Sequence, residues 1–505
     1  MAEVNQLKAG VVLNYVSIGL HGLVTFLYTP YMLHKLGQSE YGLYSLVASV
    51  VGYMTLFDFG FGDALVRYTA KYRAESKMQE QYYLFGMFII FYAVISVLVT
   101  LGGFLLYMNA PSLFGDTMTA TELERAKVLL LLLTFNLAVS FLFQIYGAII
   151  GAYERFVFSK TFSIIRFILN TIIMVMLLHM GYKAIAMVVV STIFNIITIL
   201  INYIYCKSRL KIKVRFGKFD RLLALEIAAY SFWIFLDIIM DKIYWSTGQF
   251  VLGAVSGTVA VSVFALAIHL EGSYMVFSVA ISGVFLPRVT SMIATNKSNH
   301  EISELFIRTG RLQFIVLAFI LSGFIVFGMP FIRLWAGQEY EESYYIALIF
   351  FITLLIPLIQ NMGITILKAR NQMKFRSLLY IVIAAVSFLA QIGLARQYGA
   401  IGCAIAIACA LFVGQGVIMN VYYHKIQHLD IVRFWKEIGH MAVVPFFMSI
   451  AAILLFRYVA IDTWPLLFMC LTIYSACYIP CFWHFSMRPD ERRLIETPVR
   501  RFFGR

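Results

Sequence analysis

Apolar residues run in blocks of about 20 along nearly the whole chain, from near Gly10 to near Phe485, with short polar stretches between them. Blocks of that length suit α-helices crossing a bilayer, whereas the strands of a membrane barrel would alternate and need only about 9–11 residues. About fourteen blocks can be placed. They are Gly10–Leu33, Tyr41–Gly62, Tyr83–Met108, Val128–Gly151, Thr161–Met180, Ala184–Tyr205, Leu222–Gly253, Val259–Leu286, Leu312–Ile332, Tyr344–Leu367, Ser377–Ala395, Ala400–Tyr423, Met441–Tyr458 and Trp464–His484. The fold class this predicts is an all-α polytopic membrane protein. The first block is too long for a signal peptide and no small-residue cleavage site follows it, so it is expected to stay as an anchor.

The seventh block breaks its own pattern. Tyr230, Trp233, Asp237, Asp241, Tyr244 and Gly248 fall within roughly a third of a helical turn of one another, so two carboxylates share one face at membrane depth. A charge at the bilayer centre costs about 2.5–3.5 kcal/mol even on the lenient insertion scale. Such a strip points to a water-filled cavity or an ion path; the plainer alternative is that both aspartates pair with neighbouring helices.

The blocks also repeat. Shifted by 216 positions, Gly147–Lys160 (GAIIGAYERFVFSK) falls on Gly363–Arg376 (GITILKARNQMKFR), and in the same register Ala184 and Ile185 fall on Ala400 and Ile401. Leu36–Leu46 lies over Ser256–Leu266 at a similar offset. The shift corresponds to six helices, an even number, so the halves are parallel repeats related by an axis along the membrane normal, with a cleft between them. The expected organisation is an N-lobe over 1–205, a basic linker over 206–221, a C-lobe over 222–423, two further helices over 424–484 and a basic tail over 485–505.

Composition fits no soluble chain: 61% of the 505 residues are hydrophobic and 13% charged. The net charge of +14 could suggest nucleic acid, but the basic residues sort by loop. With the N-terminus inside, about 31 of the lysines and arginines fall in cytoplasmic segments, about 7 outside and about 2 in the membrane. Both termini are therefore expected in the cytoplasm, together with Arg67, Lys71, Arg73, Lys77 and the segments 207–221, 368–376 and 488–505. The longest outside loop expected is Asn109–Lys127.

No phosphate-cradling P-loop, zinc-type HExxH or nucleophile elbow occurs, so the chain does not read as an enzyme. The cysteines, Cys206, Cys403, Cys409, Cys470, Cys477 and Cys481, lie in or beside apolar helices and suggest neither a disulfide framework nor a metal site. No cofactor is expected.

Three motifs carry a resemblance. LFDFGFGDALVRYTAKY (Leu56–Tyr72), VFLPRVTSM (Val284–Met292) and ILKARNQMKFRS (Ile366–Ser377) resemble the corresponding regions of polysaccharide flippases, the O-antigen flippase (Wzx-like) family of the multidrug/oligosaccharidyl-lipid/polysaccharide exporter superfamily. The resemblance covers the whole chain in order, spacing and helix count. It implies the fold shared by drug-extrusion transporters and lipid II flippases: two six-helix lobes plus two helices. The function it implies is translocation of an undecaprenyl-pyrophosphate-linked oligosaccharide, an O-antigen, capsule or exopolysaccharide unit, across the bacterial cytoplasmic membrane by alternating access. Partners would be that lipid-linked glycan, membrane lipids, a glycan polymerase and chain-length proteins, and not nucleic acid. A drug or cation antiporter would have twelve helices. A lipid II flippase would carry arginines in its first helix, where this chain has Asn14 and His21. A membrane glycan polymerase or ligase would show a large outside loop with paired arginines or a catalytic carboxylate.

For such a substrate the two membrane cations, Arg166 and Lys242, are the natural phosphate partners, since arginine grips a phosphate bidentately and lysine supplies a point charge. Snorkelling of Arg166 and simple carboxylate pairing of Lys242 are the alternatives. Asn170, one turn beyond Arg166, can face the same opening, and Tyr230, Trp233 and Tyr244 complete the expected substrate surface. Asp237, Asp241 and Glu271 are candidates for carrying a coupling proton, and Asp58 sits with Asp63 near a Gly-rich helix end where capping is the stronger expectation. His21, Asn136, Gln144, Asn195, His269, Gln360, Asn361, Gln391 and Gln415 are expected to be mainly interhelical hydrogen-bonders.

Overall fold

The computed structural model describes residues 6–217, 221–283, 297–370 and 372–493 with a few isolated positions beyond them. Its regular elements are all helices among the described residues. The first unit of chain holds α1 (Gln6–Leu36), α2 (Gln38–Tyr53), α3 (Phe61–Ala74), α4 (Met78–Phe114), α5 (Ala120–Ala152), α6 (Phe156–His179), α7 (Ala184–Ser208), α8 (Arg221–Val255) and the start of α9 (Thr258–Gly283). The second holds the rest of α9, then α10 (Asn299–Trp335), α11 (Glu342–Ile359), α12 (Asn361–Ala369), α13 (Lys374–Leu411), α14 (Met419–Lys425), α15 (Ile431–Phe456) and α16 (Trp464–Phe485). Contacts divide the chain into these two compact bodies after Ser262.

Eleven helical stretches among the described residues are long and apolar enough to cross a bilayer. The other three of the fourteen expected coincide with particular features. One is α8. Another is the region 38–74, where a 3-10 turn at Met54–Asp58 and left-handed residues Phe59 (φ 50°) and Gly60 (φ 73°) split the span into two shorter helices. The third lies inside Lys374–Lys425, where Gly399, at φ 57° and ψ −136°, breaks the helix in two. A glycine tolerates that conformation, which residues with a side chain rarely adopt. The expected outside loop is also shorter than drawn. α4 runs on to Phe114 and α5 starts at Ala120 under a capping box, Thr119 accepting from the Glu122 amide while Glu122 accepts from the Thr119 amide.

Packing follows small and polar residues, as it must where lipid removes the hydrophobic drive between helices. In the first body Gly103 of α4 lets Thr134 of α5 approach so closely that a Cβ would stand 2.2 Å from its methyl. Asn195 of α7 donates at 2.6 Å to both Asn136 Oδ1 and Ser140 Oγ of α5. In the second body Gln360 and Asn420 exchange amide hydrogen bonds (2.7 and 3.2 Å), and Asn420 also caps the Gln415 and Gly416 carbonyls within a π-turn at Phe412–Ile418. Asn136, Asn195 and Gln360 are thus interhelical hydrogen-bonders; Gln391 instead donates within its own helix, to Ser387.

Candidate functional site

Of the side chains expected to serve transport, Arg166, Asn170, Lys242, Tyr244 and Asp58 are described in the first body, around two helix pairs. In one, α6 lies against α1. His21 of α1 stacks on Phe167 of α6, ring centroids 3.7 Å apart and 19° from parallel, with its Nδ1 2.8 Å from the Ser17 carbonyl. Arg166 is the residue before Phe167. It is half-buried, and it makes no hydrogen bond or ion pair to another described residue. Asn170, one turn on, is half-buried as well, and its Oδ1 is shielded from solvent without a hydrogen-bond donor among the described residues. A cation and an amide with a shielded oxygen therefore stand one turn apart on a span-forming helix.

In the other pair α8 lies against α2. The Lys242 ammonium sits beside Gly52, 3.8 Å from where a Cβ would stand, and Tyr53 and Thr247 join the helices hydroxyl to hydroxyl. Tyr244 is buried, at 5% exposure. Phe59, at the break after α2, packs on Phe235 with centroids 4.8 Å apart. Asp58, at the same break, accepts from Gln144 of α5 at 3.3 Å, next to Gly62 and Tyr92. That contact ties the broken span to α5.

The side chains of Tyr230, Trp233, Asp237 and Asp241 lie outside the described residues, although the helix carrying them is described throughout. Asp63 and Asn14 are in the same position. The structure therefore brings Arg166 with Asn170, and Lys242 with the α2 face, on helices with different principal neighbours. Glu271, 2% exposed on α9, belongs to the second body.

Two polar clusters escape sequence reasoning. The first draws three helix N-termini onto one carboxylate: Glu122, in the first turn of α5, accepts from Ser39 at the start of α2, from Thr258 at the start of α9 (2.9 Å) and from the Thr119 amide and hydroxyl (2.9 and 2.8 Å). Beside it Arg125 pairs with the buried Glu40 at 2.8 Å. Gly42 lets α2 touch the Thr258 carbonyl, where a Cβ would stand 1.8 Å away. Burial pushes the Glu122 carboxyl up, but the hydrogen bonds from Ser39, Thr119 and Thr258 outweigh it and hold the group down at about 2. The second cluster centres on Arg311 of α10. Its guanidinium grips both oxygens of Glu491 (2.6 and 2.9 Å) and reaches Glu437 of α15 at 2.9 Å.

A depressed carboxylate contributes stability that is present above its unfolded value, about 4.3, and is lost as pH falls through the folded value near 2. Glu122→Gln keeps one acceptor and removes the charge. The wild-type melting temperature should therefore fall between about pH 4.3 and 2 by more than that of Glu122→Gln. Parallel curves for the two proteins would show that folding does not hold the Glu122 carboxyl below its ordinary value.

Fold and site together define a multi-pass helical membrane protein. The chain belongs to the polysaccharide biosynthesis protein family, whose sequence profile matches residues 7–293. Among solved structures it is similar to a lipid II flippase, MurJ, in an inward closed conformation, at 16% identity and TM-score 0.71, covering 95% of this chain and all of that one. It is also similar to an inward-facing multidrug resistance MATE family transporter of the MOP superfamily, at 12% identity and TM-score 0.65, covering 85% of this chain and 99% of that one. These likenesses establish the fold. No curated protein matches the sequence.

Proposed function

We propose that this protein is a flippase that moves an undecaprenyl-pyrophosphate-linked oligosaccharide, the repeat unit of an O-antigen, capsule or exopolysaccharide, across the bacterial cytoplasmic membrane, with both termini in the cytoplasm. The observation that carries the reading is Arg166. A half-buried guanidinium on a span-forming helix with no partner among the described residues can take an anion from elsewhere, and in a polysaccharide biosynthesis protein the fitting anion is the pyrophosphate of a lipid-linked glycan. The glycan head cannot cross hydrocarbon while the isoprenoid tail can remain in it, so the protein needs to supply a polar path and no bond chemistry. Arg166 with Asn170, and Lys242 across the α2 face, would hold the phosphates. Asp237, Asp241 and Glu271 would carry the coupling charge between inward and outward states.

Deletion of the gene tests this. Lipid-linked oligosaccharide should accumulate in the inner leaflet while surface glycan disappears, both restored by the wild-type chain. Lipid extraction with glycan staining reads the first and surface labelling the second. Normal surface glycan without an accumulated intermediate, in a strain lacking other flippases of the family, would reject the proposal.

A further inference from the structure

The segment that joins α7 to α8 is neither a free tether nor merely basic. From Arg209 to Arg215 exposure alternates residue by residue: Arg209, Lys211, Lys213 and Arg215 are exposed, while Leu210, Ile212 and Val214 are half-buried. The three apolar residues pack on the core formed by α3, α4, α5 and α7. Backbone contacts fix the strip: the Ile212 amide donates to the Cys206 carbonyl at 3.0 Å and the Arg215 amide to the Tyr82 carbonyl at 3.1 Å. Gly86 of α4 allows the closest approach, since a Cβ there would stand 2.1 Å from the Arg215 carbonyl oxygen. Arg209 and Lys211 (φ 52°) belong to the turn that ends α7, and from Ile212 on the chain lies along the surface with every second side chain turned away from it. Lys211, Lys213 and Arg215 are thus exposed between apolar residues that face the core.

Beside the row the protein is grooved. A cavity of about 210 Å³ is lined by Tyr83, Met87, Ile90, Arg215 and Phe216. Ile90 and Phe216 are 48% and 61% exposed, so the groove opens onto the apolar flank of α4. A second cavity of about 150 Å³ shares Tyr83 and Met87 as walls. Arg215 donates to Gln79 at 2.6 Å, and Glu80 is the acidic residue at this end of α4. Cations sit above, where the apolar run of α4 begins, and an aromatic and aliphatic slot lies below. That combination fits an amphiphile with an anionic head.

We infer that the linker is a binding site for an anionic diacyl phospholipid of the adjoining leaflet, its phosphate held by Lys211, Lys213 and Arg215 and one acyl chain lying in the slot formed by Tyr83, Met87, Ile90 and Phe216. Juxtamembrane cations attract anionic headgroups individually; the docked strip adds fixed spacing and an apolar slot. The lipid would pin the one connection between α7 and α8 to the membrane surface. The site does not depend on what the protein carries, so its failure and that of the flippase reading are separable.

Native mass spectrometry of the full chain in detergent, titrated with phosphatidylglycerol or phosphatidylcholine, tests it. Lys211→Gln/Lys213→Gln/Arg215→Gln should weaken phosphatidylglycerol binding about a hundredfold and leave phosphatidylcholine unchanged. If the triple variant does not accumulate, Lys211→Gln/Lys213→Gln keeps the Arg215 bond to Gln79 and should show about a thirtyfold loss. Ile90→Trp, which fills the slot from its lipid side, should weaken phosphatidylglycerol without changing the affinity for inorganic pyrophosphate. Unchanged selectivity in the charge variants would overturn the inference. So would displacement of phosphatidylglycerol by equimolar undecaprenyl pyrophosphate, which would make the occupant the carried lipid, or no effect of Ile90→Trp, which would reduce the site to an anion contact.

Discussion

Arg311→Met should lower the stability of the protein by about 3–5 kcal/mol, the usual consequence of removing one partner from a buried ion pair. Arg311 is 1% exposed, and so is Glu491. The pair is a fork, Nε to one carboxylate oxygen and a terminal nitrogen to the other, with the Ser486 carbonyl taking a further donation at 3.1 Å. Glu437 bridges Arg311 to Arg488, so two cations meet two carboxylates and the cluster is neutral. Deleting Arg311 leaves the Glu491 carboxylate, 1% exposed, without its cation and with the Arg488 amide as its remaining donor at 2.8 Å. The expected readout is a broadened or lost monodisperse peak in size-exclusion chromatography and a much lower melting temperature. Arg311→Met combined with Glu491→Leu should recover most of the loss, because removing both charges together is often close to neutral. Wild-type stability of Arg311→Met alone would show that the cluster is incidental. The residues that follow α16 would then be held by something other than this arginine.

That cluster also shows where reading the sequence stops. Hydropathy reports what faces lipid, so the long apolar runs and most helix limits were legible, and the Thr119 and Ser298 capping boxes carry their own local signal. A break between Ala395 and Ala400 was legible, but the one at Phe59 and Gly60 was hidden inside the apolar block Tyr41–Gly62. Pairing across the chain left no local trace. Arg311 and Glu491 are separated by 180 residues, Ser39 and Glu122 by 83. In a one-dimensional pattern Glu491 is one acid in a basic tail and Glu122 one acid in a loop. The linker was legible as basic, and its alternation was present in the letters too, but only packing shows that Leu210, Ile212 and Val214 face the core and leave the cations outside. Within the candidate site, Arg166 with Asn170 follows from helical spacing alone, while the stacking of His21 on Phe167 depends on which helix becomes the neighbour of α6.

Arg166→Ala should abolish export with little change in the amount of folded protein, the opposite signature to Arg311→Met. The reason is the difference in partners. Arg311 is saturated by carboxylates, so its removal strands them. Arg166 has neither an ion pair nor a hydrogen bond among the described residues, so its removal strands nothing within them and relieves the cost of a half-buried charge. If the missing partner is the substrate pyrophosphate, transport loses a bidentate charge-assisted contact, and a loss of at least about tenfold, equivalent to about 1.4 kcal/mol, is expected. Arg166→Lys keeps the charge without the planar fork and should restore transport only in part. Asn170→Ala, which deletes the amide whose Nδ2 can donate to a phosphate one turn away, should reduce export less than Arg166→Ala because it removes no charge. Export is read from surface glycan in the deletion strain, and folding from the size-exclusion profile of the same variants. Full export by Arg166→Ala would place the pyrophosphate elsewhere, and a collapsed profile would mean that Arg166 has a structural partner beyond the described residues. Equal export by Arg166→Lys and wild type would reduce its role to charge alone, leaving Lys242, itself a point charge, an equally good candidate for the same phosphate.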